Sequence, residues 1–140
     1  MRIEIGDWQT LGNDAGSVRH EVFVNEQNVP IEIELDAQDA HCVHAVAYDE
    51  SGRPVATGRL LPDTHIGRMA VLRAYRDQGL GSLLLERLIH QARQRHYSQV
   101  VLSAQTHAQP FYERHGFIPE GPLYMDAGIE HRLMRLPLAT

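Results

Sequence analysis

Arg76-Asp77-Gln78-Gly79-Leu80-Gly81 is the stretch of this chain best suited to chemistry. It sits between an apolar run, Ile66 to Leu72, and an amphipathic stretch from Ser82 to about Tyr97. Strand, glycine loop and helix in that order make an anion cradle out of backbone. Glycines remove Cβ atoms where a ligand must come close. The first turn of a helix leaves N–H groups without intrahelical acceptors. Those donors and the positive end of the helix dipole suit a phosphate.

Two common phosphate loops do not fit. A P-loop needs G-x-x-x-x-G-K-[ST], yet all 13 basic residues here are arginine. The lack of lysine also excludes Schiff-base chemistry on a lysine. A dinucleotide fingerprint needs a third glycine and an acidic residue about 20 positions on. Leu84 and Val101 stand at those places. What remains is [QR]-x-x-G-x-[GA], with Arg76, Gly79 and Gly81 in its fixed positions.

The elements that would position this loop read as mixed α/β. Arg2 to Trp8 alternates like an edge strand. Asn13 or Asp14 is suited to cap a helix running to about Asn25, with Val18, Val22 and Phe23 on its buried face. His41 to Tyr48 and Pro54 to Leu61 form a hairpin about the turn Asp49-Glu50-Ser51-Gly52. Pro62-Asp63 then turns the chain into Ile66 to Leu72. In the helix after the loop, Leu80, Leu84, Leu88 and Ala92 make one stripe, widened by Leu85 and Ile89. Gln99 to Ser103 reads as a buried strand, and Ala108 to His115 as a short helix ended by Gly116. Strands begin at Phe117 and run from Glu130 to Leu136, with Gly121-Pro122 and Gly128 punctuating between them.

The loop from Glu26 to His41 holds Glu26, Glu32, Glu34, Asp36 and Asp39 without a basic residue. It reads as a solvated turn with Ile31, Ile33 and Leu35 alternating inward, or as an acidic rim that draws a cationic ligand. His41-x-x-His44 is no zinc pair, because a strand points those side chains to opposite faces. Cys42 has no neighbouring base in sequence and reads as a small buried hydrophobe.

Length and composition fit one domain over residues 1–140 with a single core. A net charge of -5 and a pI near 5.9 argue against a nucleic-acid partner. No run of 18 apolar residues suggests a membrane span. The charged start MRIEIGDW does not read as a signal peptide. A single cysteine fits a reducing cytoplasm. The exposed first strand offers an edge on which a homodimer could form.

The loop is followed some 30 residues later by Phe111-Tyr112-Glu113-Arg114-His115-Gly116-Phe117 and preceded by Ile66-Gly67-Arg68-Met69-Ala70-Val71. Together with Arg19, Val22-Phe23-Val24, Glu26-Gln27 and Ala127-Gly128-Ile129-Glu130-His131, these stretches resemble the GCN5-related N-acetyltransferase (GNAT) superfamily. The similarity is to its small bacterial ElaA/YjcF-like branch and covers about Arg2 to Leu138. It implies a mostly antiparallel, twisted sheet of six to seven strands with about four helices, splayed at an acyl-CoA site. It also implies transfer of an acetyl group from acetyl-CoA to a primary amine, on a small molecule or peptide, by direct attack in a ternary complex without a metal. A non-catalytic acyl-CoA sensor, or a transferase using another acyl chain or acceptor atom, would share these motifs.

The resemblance also assigns residues. The pyrophosphate would lie on the backbone of Gln78, Gly79, Leu80, Gly81 and Ser82. The edge of Met69, Ala70 and Val71 would pair with the pantetheine amides. Arg76 and Arg73 would add charge near phosphate, and Phe111 would belong to the cofactor site. Tyr112 would protonate the leaving thiolate. For the base the candidates are Glu26, Glu32, Glu34, Asp36, His65, His107 and His131, with His131 preferred, then Glu26, then His107. Arg68 and Gln105 lie on the two strands expected to splay around the thioester.

Overall fold

A computed structural model describes residues 1–34 and 36–138, leaving out the side chain of Ile33. The expected inward alternation of Ile33 and Leu35 therefore lies outside the described residues. Ile31 is exposed.

Seven strands and four α-helical segments follow one another among the described residues. They are β1 (Arg2–Gly6), α1 (Trp8–Arg19), α2 (Ile31–Glu34), β2 (Val43–Tyr48), β3 (Pro54–Leu60), β4 (Ile66–Val71), α3 (Leu80–Gln94), β5 (Gln99–Gln105), α4 (Gln109–Arg114), β6 (Ile118–Asp126) and β7 (Ile129–Pro137). Helix α1 continues as a π-helical segment, His20–Glu26. Two antiparallel sheets result, one ordered β1-β2-β3-β4 and the other β5-β7-β6. They meet where β4 and β5 start side by side, at a parallel bridge between His65 and Val101. Beyond that bridge no further pairing joins the two strands among the described residues. The expected antiparallel sheet of six to seven strands, splayed at one place, is thus present as seven strands in two sheets that meet at this bridge.

Helix α3 closes the core behind the splay. Leu80, Leu84, Leu85, Leu88, Ile89 and Ala92 are all buried, as the i, i+4 spacing requires. They pack with Ala45, Val55, Leu60, Ala70, Val100 and Met134 from both sheets. Helix α3 therefore holds together two sheets that share almost no backbone pairing. Burying each large aliphatic side chain contributes roughly 1.5–3 kcal/mol.

Two boundaries differ from expectation for local reasons. Helix α1 begins at Trp8 because Asp7 caps it, its carboxylate accepting from Thr10 N at 2.8 Å. Asp14, expected as a cap, lies inside the helix and accepts the Tyr48 hydroxyl at 2.6 Å, tying α1 to β2. Gly121-Pro122 does not separate strands either. It lies within β6, where the pairing with β7 shifts between Glu120 and Tyr124, and a bulge tolerates a proline there.

The acidic loop is neither a solvated turn nor an open rim. Arg19 donates to Glu34 and to Asp39 (2.8 Å). Arg59 donates to Asp39 and Asp36, both at 2.7 Å. Arg68 lies 3.6 Å from Asp36. Arg19, Glu34, Asp39 and Arg59 are all buried. Three carboxylates thus face three arginines inside the fold, and the planar guanidinium fork suits such shared pairing. Burial alone would raise the Asp39 pKa, but the hydrogen bonds from Arg19 and Arg59 outweigh it and hold the carboxyl below its ordinary value.

Removing one member of a buried pair strands the other, so Asp39→Asn should cost about 3 kcal/mol of stability in urea unfolding. A loss below about 1 kcal/mol would mean that the network contributes little. A depressed folded pKa stabilises above the unfolded value and loses that contribution as pH falls through the folded one. The wild type should therefore hold its Asp39 contribution from pH 5 to 8 and lose it below about pH 4, while Asp39→Asn shows a shallower acid decline.

Candidate active site

The gap between β4 and β5 has one built wall. Strand β4 pairs with β3 through Ile66, Gly67, Ala70 and Val71, and the register shifts between Thr57 and Arg59. Arg68 sits at that shift with φ 51°, an uncommon conformation for a residue with a Cβ. The bulge turns Arg68 toward the acidic loop and Met69 toward α3. Met69 fits there because residue 58 is glycine: a Cβ on Gly58 would lie 2.4 Å from the Met69 sulfur. The other edge of Met69, Ala70 and Val71 faces the gap, and no strand among the described residues pairs with it. An extended ligand can add itself to such an edge.

The glycine loop continues directly from that wall. A turn of 3₁₀ helix, Arg73–Tyr75, is pinned by the Tyr75 hydroxyl on Asp49 at 2.7 Å. Gly79 precedes α3 with φ 82°, a left-handed conformation that glycine adopts without cost. Gln78, Gly79, Leu80, Gly81 and Ser82 thus follow one another around the start of a 15-residue helix. Gly81 also admits a ring. A Cβ there would meet Phe111 at 3.4 Å. Ser82 Oγ hydrogen-bonds His115 Nε2 at 2.9 Å, fixing α3 against α4.

Tyr112 lies in the middle of α4, which starts at Gln109. Its ring meets Phe111 and Phe117 edge-on, at 5.0 and 5.8 Å. Burial pushes the phenol up to about 12. It keeps its proton at neutral pH and can serve as a donor, not as a base.

His131 is buried on β7, opposite Gln105 at the end of β5. Its Nδ1 donates to the Ile129 carbonyl at 2.7 Å, which leaves Nε2 as the proton acceptor. Its ring stacks on Tyr124, whose hydroxyl hydrogen-bonds Ser103. His107 is exposed, and His65 pairs with Asp63 at the closed end of the gap.

Of the remaining acidic candidates Glu32 is exposed, and the other three are occupied. Glu34 and Asp36 belong to the buried network. Glu26 accepts two hydrogen bonds from Arg76, each 2.7 Å, and lies 3.5 Å from Arg73. The hydrogen bonds from Arg76 hold its carboxyl below the usual range, with burial opposing them. That is the wrong direction for a base. Arg76, expected near phosphate, has its guanidinium on Glu26 and on the Val71 carbonyl (2.9 Å). The sequence did not reveal this pair.

Cys42 is buried and donates to the Gln38 carbonyl at 3.2 Å. Burial pushes its thiol up to about 11, away from a nucleophile. Its sulfur gathers with Asp39 and His44 within 4.8 Å. Yet Asp39 already accepts from two arginines, and His44 Nε2 lies 2.9 Å from the Asp39 carbonyl, so a cation there would face two guanidinium groups.

A splayed α/β sheet with a glycine loop at the mouth of the splay defines a class of acyl-CoA-using transferases. The chain belongs to that class: the sequence model of the acetyltransferase (GNAT) domain matches residues 11–138. It is 40% identical over 125 residues to the uncharacterized N-acetyltransferase YjcF of Bacillus subtilis, covering 86% of this chain and 89% of that protein. An acyl-CoA N-acyltransferase from Pseudomonas aeruginosa superposes with a TM-score of 0.85 at 33% identity, covering 96% of this chain and 97% of the other. Escherichia coli ElaA superposes with a TM-score of 0.87 at 28% identity, covering 96% and 99%.

Gly79→Val tests the loop. The left-handed backbone should cost about 1–2 kcal/mol with a β-branched residue, leaving the fold intact. CoA affinity by calorimetry should fall at least about tenfold, or about 1.4 kcal/mol. Unchanged affinity would remove the loop from the donor site.

Proposed function

We propose that this protein transfers an acetyl group from acetyl-CoA to a primary amine by direct attack within a ternary complex. One observation carries the reading. An open strand edge, Met69 to Val71, leads straight into a glycine loop at the start of α3. The edge suits the two amides of a pantetheine arm, and the loop suits a pyrophosphate. The thioester carbonyl then lies in the gap between β4 and β5. A backbone N–H of β4 stabilises the oxyanion that forms there.

The amine nitrogen attacks the carbonyl carbon, and the C–S bond breaks as the tetrahedral intermediate collapses. Tyr112 gives its proton to the leaving thiolate, and its phenol is restored from solvent. His131 takes the surplus proton of the amine on Nε2. Phe111 packs against Gly81 and keeps Tyr112 turned toward the sulfur. The acceptor is a small molecule or a peptide amine, the site uses no metal, and residues 1–140 act as one domain in the cytoplasm. No helix among the described residues is long and apolar enough to cross a membrane.

Tyr112 favours turnover over mere sensing, since a binding module needs no acid. Thiol release from acetyl-CoA should rise above background with at least one member of an amine panel. CoA binding without thiol release from any amine would support a sensor instead. Tyr112→Phe should lower kcat by about a hundredfold or more, the usual scale for a lost general acid, with little change in donor KM. With its phenol near 12, Tyr112 should place no basic limb in the kcat profile below about pH 10. Unchanged turnover in Tyr112→Phe would remove it as the proton donor.

A further inference from the structure

Two adjacent residues, Glu26 and Gln27, touch the two sides of the splay. Glu26 binds Arg76 through both carboxylate oxygens, and Arg76 Nε donates to the carbonyl of Val71, the last residue of β4. Gln27 accepts from the side-chain amide of Gln105, the last residue of β5, at 3.1 Å. Both contacts come from the end of the π-helical segment that extends α1. Its wide turn closes with Gln27 N donating to the Val22 carbonyl. A departure from α geometry of this kind often marks a functional site. Successive residues of a helical turn point in different directions, so neighbours there can reach separate strands.

We propose that Glu26 and Gln27 are positioning residues that strap the splayed strands together and set the width of the slot that receives acyl-CoA. Glu26 acts through Arg76 on the end of β4 and the glycine loop. Gln27 acts through Gln105 on the end of β5. The inference rests on reading the slot as the donor site.

The geometry favours a strut over a catalytic group at both ends. Among the described residues β4 and β5 are joined by backbone only at the His65–Val101 bridge, where Val101 N donates to the Thr64 carbonyl, at the closed end of the gap. Their open ends need another tether to keep a fixed separation. The Glu26–Arg76 pair is bidentate, which fixes orientation as well as distance. Both partners are partly buried, with side chains 25% and 35% exposed, so solvent screens the pair less than a surface bridge. Arg76 has its Nε on backbone and its other nitrogens on Glu26. That leaves it shaping the loop from behind. The Tyr75–Asp49 hydrogen bond anchors the same loop from its other side.

A double-mutant cycle on the full chain tests this. Glu26→Gln and Arg76→Gln should each raise donor KM and CoA Kd about tenfold, and the double variant should be no worse than the weaker single, a coupling within the range of contacting pairs. At saturating donor, kcat should stay within about twofold and acceptor KM should not move, a pattern that marks lost binding rather than lost chemistry. Gln27→Leu should raise donor KM by about threefold or more, and Glu26→Asp should recover most of the loss. Calorimetric stoichiometry reports the folded fraction of each variant. A kcat collapse with donor KM intact in Glu26→Gln would make Glu26 the base. Tighter CoA binding in that variant would make Arg76 a phosphate ligand held in check. Additive effects in the double would make the two residues independent. Each of these overturns the strap. If Gly79→Val still binds CoA normally, the donor-site reading fails first. If Gly79→Val loses CoA while the Glu26 and Arg76 variants bind as wild type, only the strap fails.

Discussion

Parallel strands that diverge after one bridge leave backbone donors and acceptors facing a gap. Such groups must find partners, in protein, ligand or water. That constraint at β4 and β5 organises the rest of the molecule. Helix α3 must cover both half-sheets, because little backbone pairing joins them. The bulge at Arg68 sends that side chain one way and Met69 the other, leaving the strand edge clear. The glycine loop follows the open edge, so a ligand that pairs with β4 arrives with its far end at the helix start. Donor recognition is then mostly backbone, and side chains are left to shape it.

Charge is organised toward the inside. Arg19, Arg59 and Arg68 meet Glu34, Asp36 and Asp39 within the fold, and Arg76 meets Glu26 at its edge. In a chain without lysine, every cation brings a planar fork that can bridge two acceptors. Asp39 between Arg19 and Arg59 is the plainest case. The network joins α1, the acidic loop and β3, and thus supports the bulged strand from below. An acidic loop that looks like an electrostatic lure in sequence is, in the fold, a set of struts.

Local features were legible and distant pairings were not. The α3 stripe, the β2–β3 hairpin, the glycine loop and the FYERHGF segment each declare themselves within a few residues. So did the Gly116 stop after α4, with φ 92°. The capping role of Asp7 was also local, but Asn13 and Asp14 offered the same chemistry six and seven residues later. The ion pairs and the Gln27–Gln105 hydrogen bond escaped because they join residues far apart in sequence. Arg19 and Glu34 are 15 residues apart, Glu26 and Arg76 are 50, and Gln27 and Gln105 are 78. Arg19 beside Val18 on a buried helix face, and Arg59 within an apolar strand, were the available hints. A buried arginine calls for an acidic partner, and the loop from Glu26 to His41 held the unmatched acids.

The central claim is that the splayed edge and the glycine loop form one continuous donor slot. Backbone amide chemical shifts, followed while CoA is titrated into the full chain, test it most directly. The largest changes should fall on Met69 to Val71 and on Gln78 to Ser82, saturating together. Saturable changes centred elsewhere, such as the cleft lined by Cys42, Gln91 and Tyr97, with these two segments unmoved, would contradict it.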